Sequence, residues 1–191
     1  MTARPTVDIV VKAGGALLAH PVHFARVLAA LEEAAGATRL LIVPGGGPFA
    51  DAVRAIDRRF AVAADAAHWM AILGMDQYAH LLASRLRRGT VAASPADIAG
   101  ALERGWLPVL APSRWLQEAD PLPHSWDVTS DSIAAWIAAA VGAARLVLVK
   151  PPGVVSEAVD SYFHRALPAD LGPAALVPAD QIATLRRCLT I

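Results

Sequence analysis

The stretch LLIVPGGGPFADAVR, Leu40–Arg54, changes character twice. Its first four residues are apolar without alternation, which predicts a strand covered on both faces, as in a parallel sheet between helix layers. Three glycines between two prolines follow, a turn signal. Phe49, Val53 and Ile56 then recur at helical spacing and predict a helix over 48–60. The same grammar repeats along the chain. DIVV (8–11), LPVL (107–110) and LVLV (146–149) are further apolar runs, with TVAAS (90–94) and AALVP (174–178) as weaker candidates. Helical patterns lie between them. One runs over 21–35, opening on Pro21 and stopping at Gly36, and 63–88 reads as one long helix or two. Ser94-Pro95-Ala96-Asp97 is a capping box opening 95–104. Residues 130–141 and about 179–188 complete the set. Strands alternating with helices predict an α/β fold, a three-layer αβα sandwich on a mainly parallel sheet, with 1–191 as one domain. The stretches 111–129 and 150–173 read as irregular, and loops of that length are usually functional or mobile.

Composition narrows the classes. The chain has 191 residues, enough for one sizeable core. Its 17 basic residues balance 17 acidic ones, so no electrostatic case exists for a nucleic-acid or anionic-membrane partner. A single cysteine, Cys188, cannot build an internal disulfide framework or a Cys-based zinc site. No apolar run approaches the ~20 residues of a membrane helix, and no signal region opens the chain, so a cytoplasmic protein is expected. The 55% apolar fraction is rich in alanine, as suits helices packed closely on a sheet.

Ligands of open α/β sheets bind beyond the carboxyl ends of the strands. Lys12-Ala13-Gly14-Gly15 follows the first run, Gly45-Gly46-Gly47 the second, and Lys150-Pro151-Pro152-Gly153-Val154 the LVLV run. Lys12 and Lys150 are the two lysines of a chain whose other basic residues are arginines. Glycines let backbone N–H groups turn toward an anion, the next helix N-terminus adds a favourable dipole, and a lysine supplies a compact charge. Together these suit a polyphosphate. PGGGPFADAV lacks the G-K-[ST] ending of a P-loop. Gly45 to Ala50 formally fits an A-ending dinucleotide fingerprint, but its acidic partner, Asp65, falls in helical sequence.

Asp127 and Asp131 bracket a Thr-Ser pair at a helix start, where Thr129 or Ser130 is the expected cap. Asp131 has two open roles there: holding the two lysines, or binding Mg²⁺ through water. Arg54, Arg58 and Arg59 form a solvated face or reach an anionic acceptor group. His124 and Trp126 contact a ring-shaped or amine substrate, or merely pack their loop. His20 and His23 read as ordinary polar residues, and no set of metal ligands is evident.

The blocks VVKAGGALL, LLIVPGGGPFADAVR, DVTSDSIAAWIA and LVLVKPPGVV, in this order, resemble the amino acid kinase superfamily, which includes carboxylate kinases and uridylate kinase. Short length, AAHWMAILGMDQYAHLLASRL and PLPHSWDVTSDSIAAWIA are most similar to its aminomethylfuran phosphate kinase branch, of methanofuran biosynthesis. The resemblance implies Mg-ATP as phosphoryl donor, a small phosphorylated acceptor and a homo-oligomer. It implies that Lys12 bridges phosphates in flight and that Gly14 and Gly15 give backbone donors to the transferred group. It further implies that Gly45, Gly46 and Gly47 lie against the acceptor and the transferred group, that Asp131 orients the lysines, and that Lys150, with Gly153 and Val154, stands on the nucleotide side. Two departures stand out: Ala16 occupies a place where relatives commonly have Ser or Thr, and Pro151-Pro152 replaces commonly acidic residues. The alternatives are a kinase for a carboxylate or UMP, or a nucleotide-binding subunit without turnover.

Overall fold

The computed structural model describes residues 7–154 and 159–191; Val155, which closes the last block above, lies outside them. The strands are β1 (Ile9–Ala13), β2 (Leu40–Pro44), β3 (Gly89–Ala92), β4 (Leu107–Leu110), β5 (Arg145–Lys150) and β6 (Ala175–Pro178). The helices are α1 (Pro21–Ala34), α2 (Gly47–Phe60), α3 (Ala64–Arg85), α4 (Pro95–Glu103), α5 (Ser113–Ala119), α6 (Ser130–Val141), α7 (Phe163–Ala166) and α8 (Ile182–Cys188). The sheet is parallel in every pairing and runs β3-β4-β2-β1-β5-β6. The two weakest runs, TVAAS and AALVP, form its two edges, where fewer neighbours demand less apolar surface.

Side chains of a strand alternate between faces, and the core divides accordingly. Ile9, Val11, Leu40, Ile42, Val147 and Val149 pack on one face with Leu31 of α1, Tyr78 and Leu82 of α3 and Leu185 of α8. Val10, Leu41, Val43, Leu146 and Leu148 pack on the other with Ile133 and Ile137 of α6 and Ile98 of α4. This two-sided burial explains why the central runs do not alternate in sequence. It also decides where the lysines go. Lys12 pairs in register with Leu148, so Lys12 and Lys150 share a parity and a face, the one covered by α6.

Several expectations need correction. β1 extends to Ala13, so Lys12 lies inside the strand rather than after it. Of the two readings open for 63–88, the single long helix forms, as α3, whereas the stretches expected to be irregular contain α5, α7 and a short 3₁₀ turn at Ala169–Leu171. α5 escaped notice because its start is stabilised from afar. Asp76 of α3 accepts hydrogen bonds from the Ser113 backbone N–H (3.1 Å) and its hydroxyl. The Ser94 capping box forms as expected, with the Asp97 N–H donating to Ser94 Oγ at 3.2 Å. Cys188, the last residue of α8, is partly buried against the core. Among the described residues no helix is long and apolar enough to cross a membrane.

Candidate active site

Strand parity and α6 bring the two lysines to one carboxylate. Lys150 Nζ donates to Asp131 Oδ2 at 2.6 Å, and Lys12 Nζ stands 3.0 Å from Oδ1. All three are buried, at 6% exposure for Lys12, 8% for Lys150 and 5% for Asp131. Neither lysine is the solvated strand-end group that a surface reading would allow. Of the two roles open to Asp131, holding the lysines is the one formed. Burial pushes the Asp131 carboxyl up, but the adjacent ammonium groups overrule it and hold it below the usual carboxylate range. Burial, reinforced by Lys150, pulls Lys12 below the usual lysine range, and Asp131 only partly restores it. Two lysines share this one carboxylate, with Asp160 adding a weaker attraction on Lys12, an arrangement that favours an incoming anion.

The start of α6 is held by a residue the sequence pattern missed. Thr129 and Ser130 do not cap the helix through their side chains. Asp160, distant in sequence, does so instead. It accepts from the Thr129 N–H (3.0 Å), the Thr129 hydroxyl (2.7 Å), the Ser132 N–H (3.0 Å) and the Ser132 hydroxyl. A carboxylate at a helix N-terminus is also favoured by the helix dipole. No local spacing signals such a cap; only the return of the chain beside α6 supplies it.

The two glycine segments meet backbone to backbone. A Cβ on Gly15 would stand 2.1 Å from the Gly47 nitrogen, and one on Gly45 would stand 2.5 Å from the Gly15 nitrogen. Gly47 also has φ +52°, a conformation glycine adopts freely. The Gly14 N–H is committed to the Val149 carbonyl (3.1 Å) and the Gly45 N–H to the Ala13 carbonyl (2.8 Å). Gly14 and Gly45 therefore stitch the strand ends together. Gly15, Ala16, Gly46 and Gly47 instead line a cavity of about 370 Å³. The N-terminus of α2 opens there with no acidic residue in its first turn, an arrangement suited to an anion.

The rest of that cavity is an apolar slot between α2, α3 and α6, with Ala67, Ala71, Ile72, Met75 and Ile133 in its walls. Arg54 lines it, whereas Arg58 and Arg59 do not. Thr129 and Ser130 bring its wall to the residue preceding Asp131. Gly153 and Val154 are not in this wall. They form a turn beyond β5, closed by the Val154 N–H donating to the Pro151 carbonyl at 3.4 Å.

The segment 120–128 covers the outer side. Trp126 Nε1 donates to Asp57 Oδ2 at 2.8 Å, and the Arg54 guanidinium stands 4.8 Å from the Trp126 ring centre. His124 does not line the cavity; its Nδ1 is 2.7 Å from Asp65 and its Nε2 2.8 Å from Asp120. A carboxylate on each ring nitrogen favours the imidazolium form of His124, the form that donates from both. Those two hydrogen bonds push its pKa above the ordinary histidine value. Asp65 thus ties the loop to α3. Because the folded-state pKa is raised, this tie is complete below the unfolded value of about 6.5 and is lost as pH rises through the raised one. Hydrogen exchange corrected for intrinsic rates should show protection over 121–128 falling across that window. His124→Gln should be weakly protected throughout, without the pH step.

Comparison with known proteins accords with this geometry. The chain matches the amino acid kinase family over residues 9–156. It belongs to that family. Over 101 residues it is 34% identical to [5-(aminomethyl)furan-3-yl]methyl phosphate kinase of Methanocaldococcus jannaschii, which is 52% of this chain and 45% of that one. The match thus spans less than half the length of that relative. Among solved structures, UMP kinase from Bacillus anthracis aligns with a TM-score of 0.65 at 15% identity, covering 97% of this chain and 93% of that one. Uridylate kinase from Archaeoglobus fulgidus aligns at 0.60 and 18% identity, covering 81% and 69%. At these identities the structures establish the shared αβα fold. The family assignment accords with the resemblance read from the glycine and lysine blocks.

Proposed function

We propose that this amino acid kinase family member transfers the γ-phosphoryl group of ATP to a small phosphorylated acceptor, [5-(aminomethyl)furan-3-yl]methyl phosphate, yielding its diphosphate. The observation that carries the reading is the buried Lys12–Asp131–Lys150 cluster at the carboxyl ends of β1 and β5, beside a glycine-walled cavity. The choice of acceptor is supported by the partial match to the Methanocaldococcus jannaschii kinase.

Phosphoryl transfer needs positioning and charge neutralisation more than covalent assistance. An acceptor phosphate is already ionised near neutral pH, so its oxygen attacks without a general base. The new O–P bond forms as the bond from the γ-phosphorus to the β-phosphate oxygen breaks, and ADP leaves. Lys12 follows the charge on the phosphoryl group in flight, and Lys150 meets the charge growing on the leaving phosphate. Asp131 fixes both ammonium groups so that they need not reorganise. Gly15, Gly46 and Gly47 bring backbone to the anions, and the apolar slot receives the acceptor ring. Among the described residues no group of three or more acidic, histidine or cysteine side chains is placed to hold a metal. Asp131 is already engaged with the two lysines, so these residues fit Mg²⁺ that would arrive on the nucleotide phosphates, where it would supply charge neutralisation.

The test is ADP release from Mg-ATP with the furan phosphate, with UMP, with N-acetylglutamate and with no acceptor. Turnover dependent on the furan phosphate is expected. Turnover with UMP or N-acetylglutamate instead replaces the acceptor, and nucleotide binding without any turnover removes the kinase reading.

A further inference from the structure

His68 lies on the cavity-facing side of α3, half-buried in the wall of the slot. Among the described residues no group hydrogen-bonds to either of its ring nitrogens. Its ring is nevertheless held in place. It stacks on the His124 imidazolium, centroids 4.2 Å apart and planes 19° from parallel, with Trp69 edge-on to both. His124 is itself clamped by Asp65 and Asp120. A polar ring oriented this firmly, lining an otherwise apolar cavity, presents a hydrogen-bonding edge with no partner in the protein.

The charge around it has a definite sign. Asp51, paired with Arg54 at 2.9 Å, and Asp57 line the cavity, while Asp65 and Asp120 stand outside its wall, one on each nitrogen of His124. Both nitrogens of His124 face carboxylates, so its charge is covered on both sides. The inner end has the opposite sign, with the start of α2 and, behind the wall, the lysine cluster. The cavity is therefore polarised, anion-seeking inside and cation-seeking outside, with apolar walls between. A small ring bearing a phosphate at one end and a protonated amine at the other matches that order.

We propose that His68 is the specificity-determining residue for the acceptor's amine, accepting a hydrogen bond from a primary ammonium at the outer end of the cavity, with His124 as the positioning residue behind it. This rests on the phosphorylated-acceptor reading above. Burial, aided by the charge on His124, lowers the His68 pKa to about 4, so the ring keeps a lone pair for the ammonium at neutral pH.

The test compares kcat/KM for [5-(aminomethyl)furan-3-yl]methyl phosphate with that for its analogue lacking the amine. Wild type should prefer the amine. His68→Phe keeps a flat ring and should lower kcat/KM for the amine substrate by ~10- to 100-fold, the usual weight of one hydrogen bond to a charged group. The amine-free analogue and the KM for ATP should be unaffected. His68→Gln, which retains an acceptor oxygen, should recover part of the preference, and His68→Met repeats the deletion should Phe disturb the stack. Unchanged amine preference in His68→Phe and His68→Met, or equal losses on both substrates, would overturn the role of His68 while leaving the acceptor assignment intact. Wild-type turnover without amine preference would overturn it too. No wild-type turnover of the furan phosphate overturns the acceptor assignment itself, and the role of His68 with it.

Discussion

Asp131→Asn should lower kcat by ~100-fold or more, the usual cost of losing one preorganised electrostatic group. It should also destabilise the fold by about 3–5 kcal/mol, because two buried ammonium groups lose their shared counter-charge. Lys12→Met should separate these effects. It should cost at least ~100-fold in kcat, because a cation beside the transferred group is gone. Yet the fold should be as stable as wild type or more so, because a buried charge with a like neighbour is replaced by an apolar chain of similar volume. The pH dependence follows from the shifts. Lys12 titrates below the ordinary lysine value in the folded state, so between the two values the unfolded chain binds more protons and stability rises with pH. Lys12→Met should lack that rise. Asp131 titrates below the ordinary carboxylate value, so its contribution is present above that value and is lost on acidification through the lowered one. Urea unfolding across pH, paired with ADP-release kinetics, reads all of these quantities. Equal kcat in Lys12→Met and wild type would remove the cluster from the chemistry.

Gly15→Ala should give the second large effect. The added Cβ would meet the Gly47 nitrogen at 2.1 Å and its Cα at 2.3 Å, and both are backbone atoms that cannot swing aside. The glycine segments must separate, at a cost of about 1–3 kcal/mol by analogy with overpacked cores. Their separation displaces the anion-facing backbone, and a shift near 1 Å at such a site costs ~100-fold in rate. Gly153→Ala is the contrasting case. Its position is open, with no atom within 4 Å of the added Cβ, and only φ +74° is unfavourable. The expected cost there is about 1–2 kcal/mol of backbone strain with little change in kcat. Thermal unfolding and steady-state kinetics on the two variants would distinguish a glycine needed for close approach from one needed for its turn.

The local signals that were legible came from short-range physics. Unalternating apolar runs marked the central strands because both faces of the sheet are covered. The Ser94 box opened α4 because cap and helix are neighbours in sequence. Lysine and glycine after a strand marked the functional rim because strand ends in a parallel sheet point the same way. What escaped was stabilised over distance. α5 is anchored by Asp76, α6 is capped by Asp160, and the stack of His68 on His124 joins α3 to a loop far along the chain. None of these pairs has a spacing that periodicity can read.

The sequence by itself determined the alternation of strands and helices and the residue types at the rim, because burial pattern and turn chemistry are written locally. It also carried the family, in the order of four short blocks. Only the tertiary structure decided what those residues do to one another. The register of β1 against β5 places Lys12 and Lys150 on the same face, and the docking of α6 on that face inserts Asp131 between them. The approach of Gly15 to Gly47 depends likewise on two strands lying side by side. Charge cancellation, excluded volume and burial act through space, at separations along the chain that only the packed sheet closes.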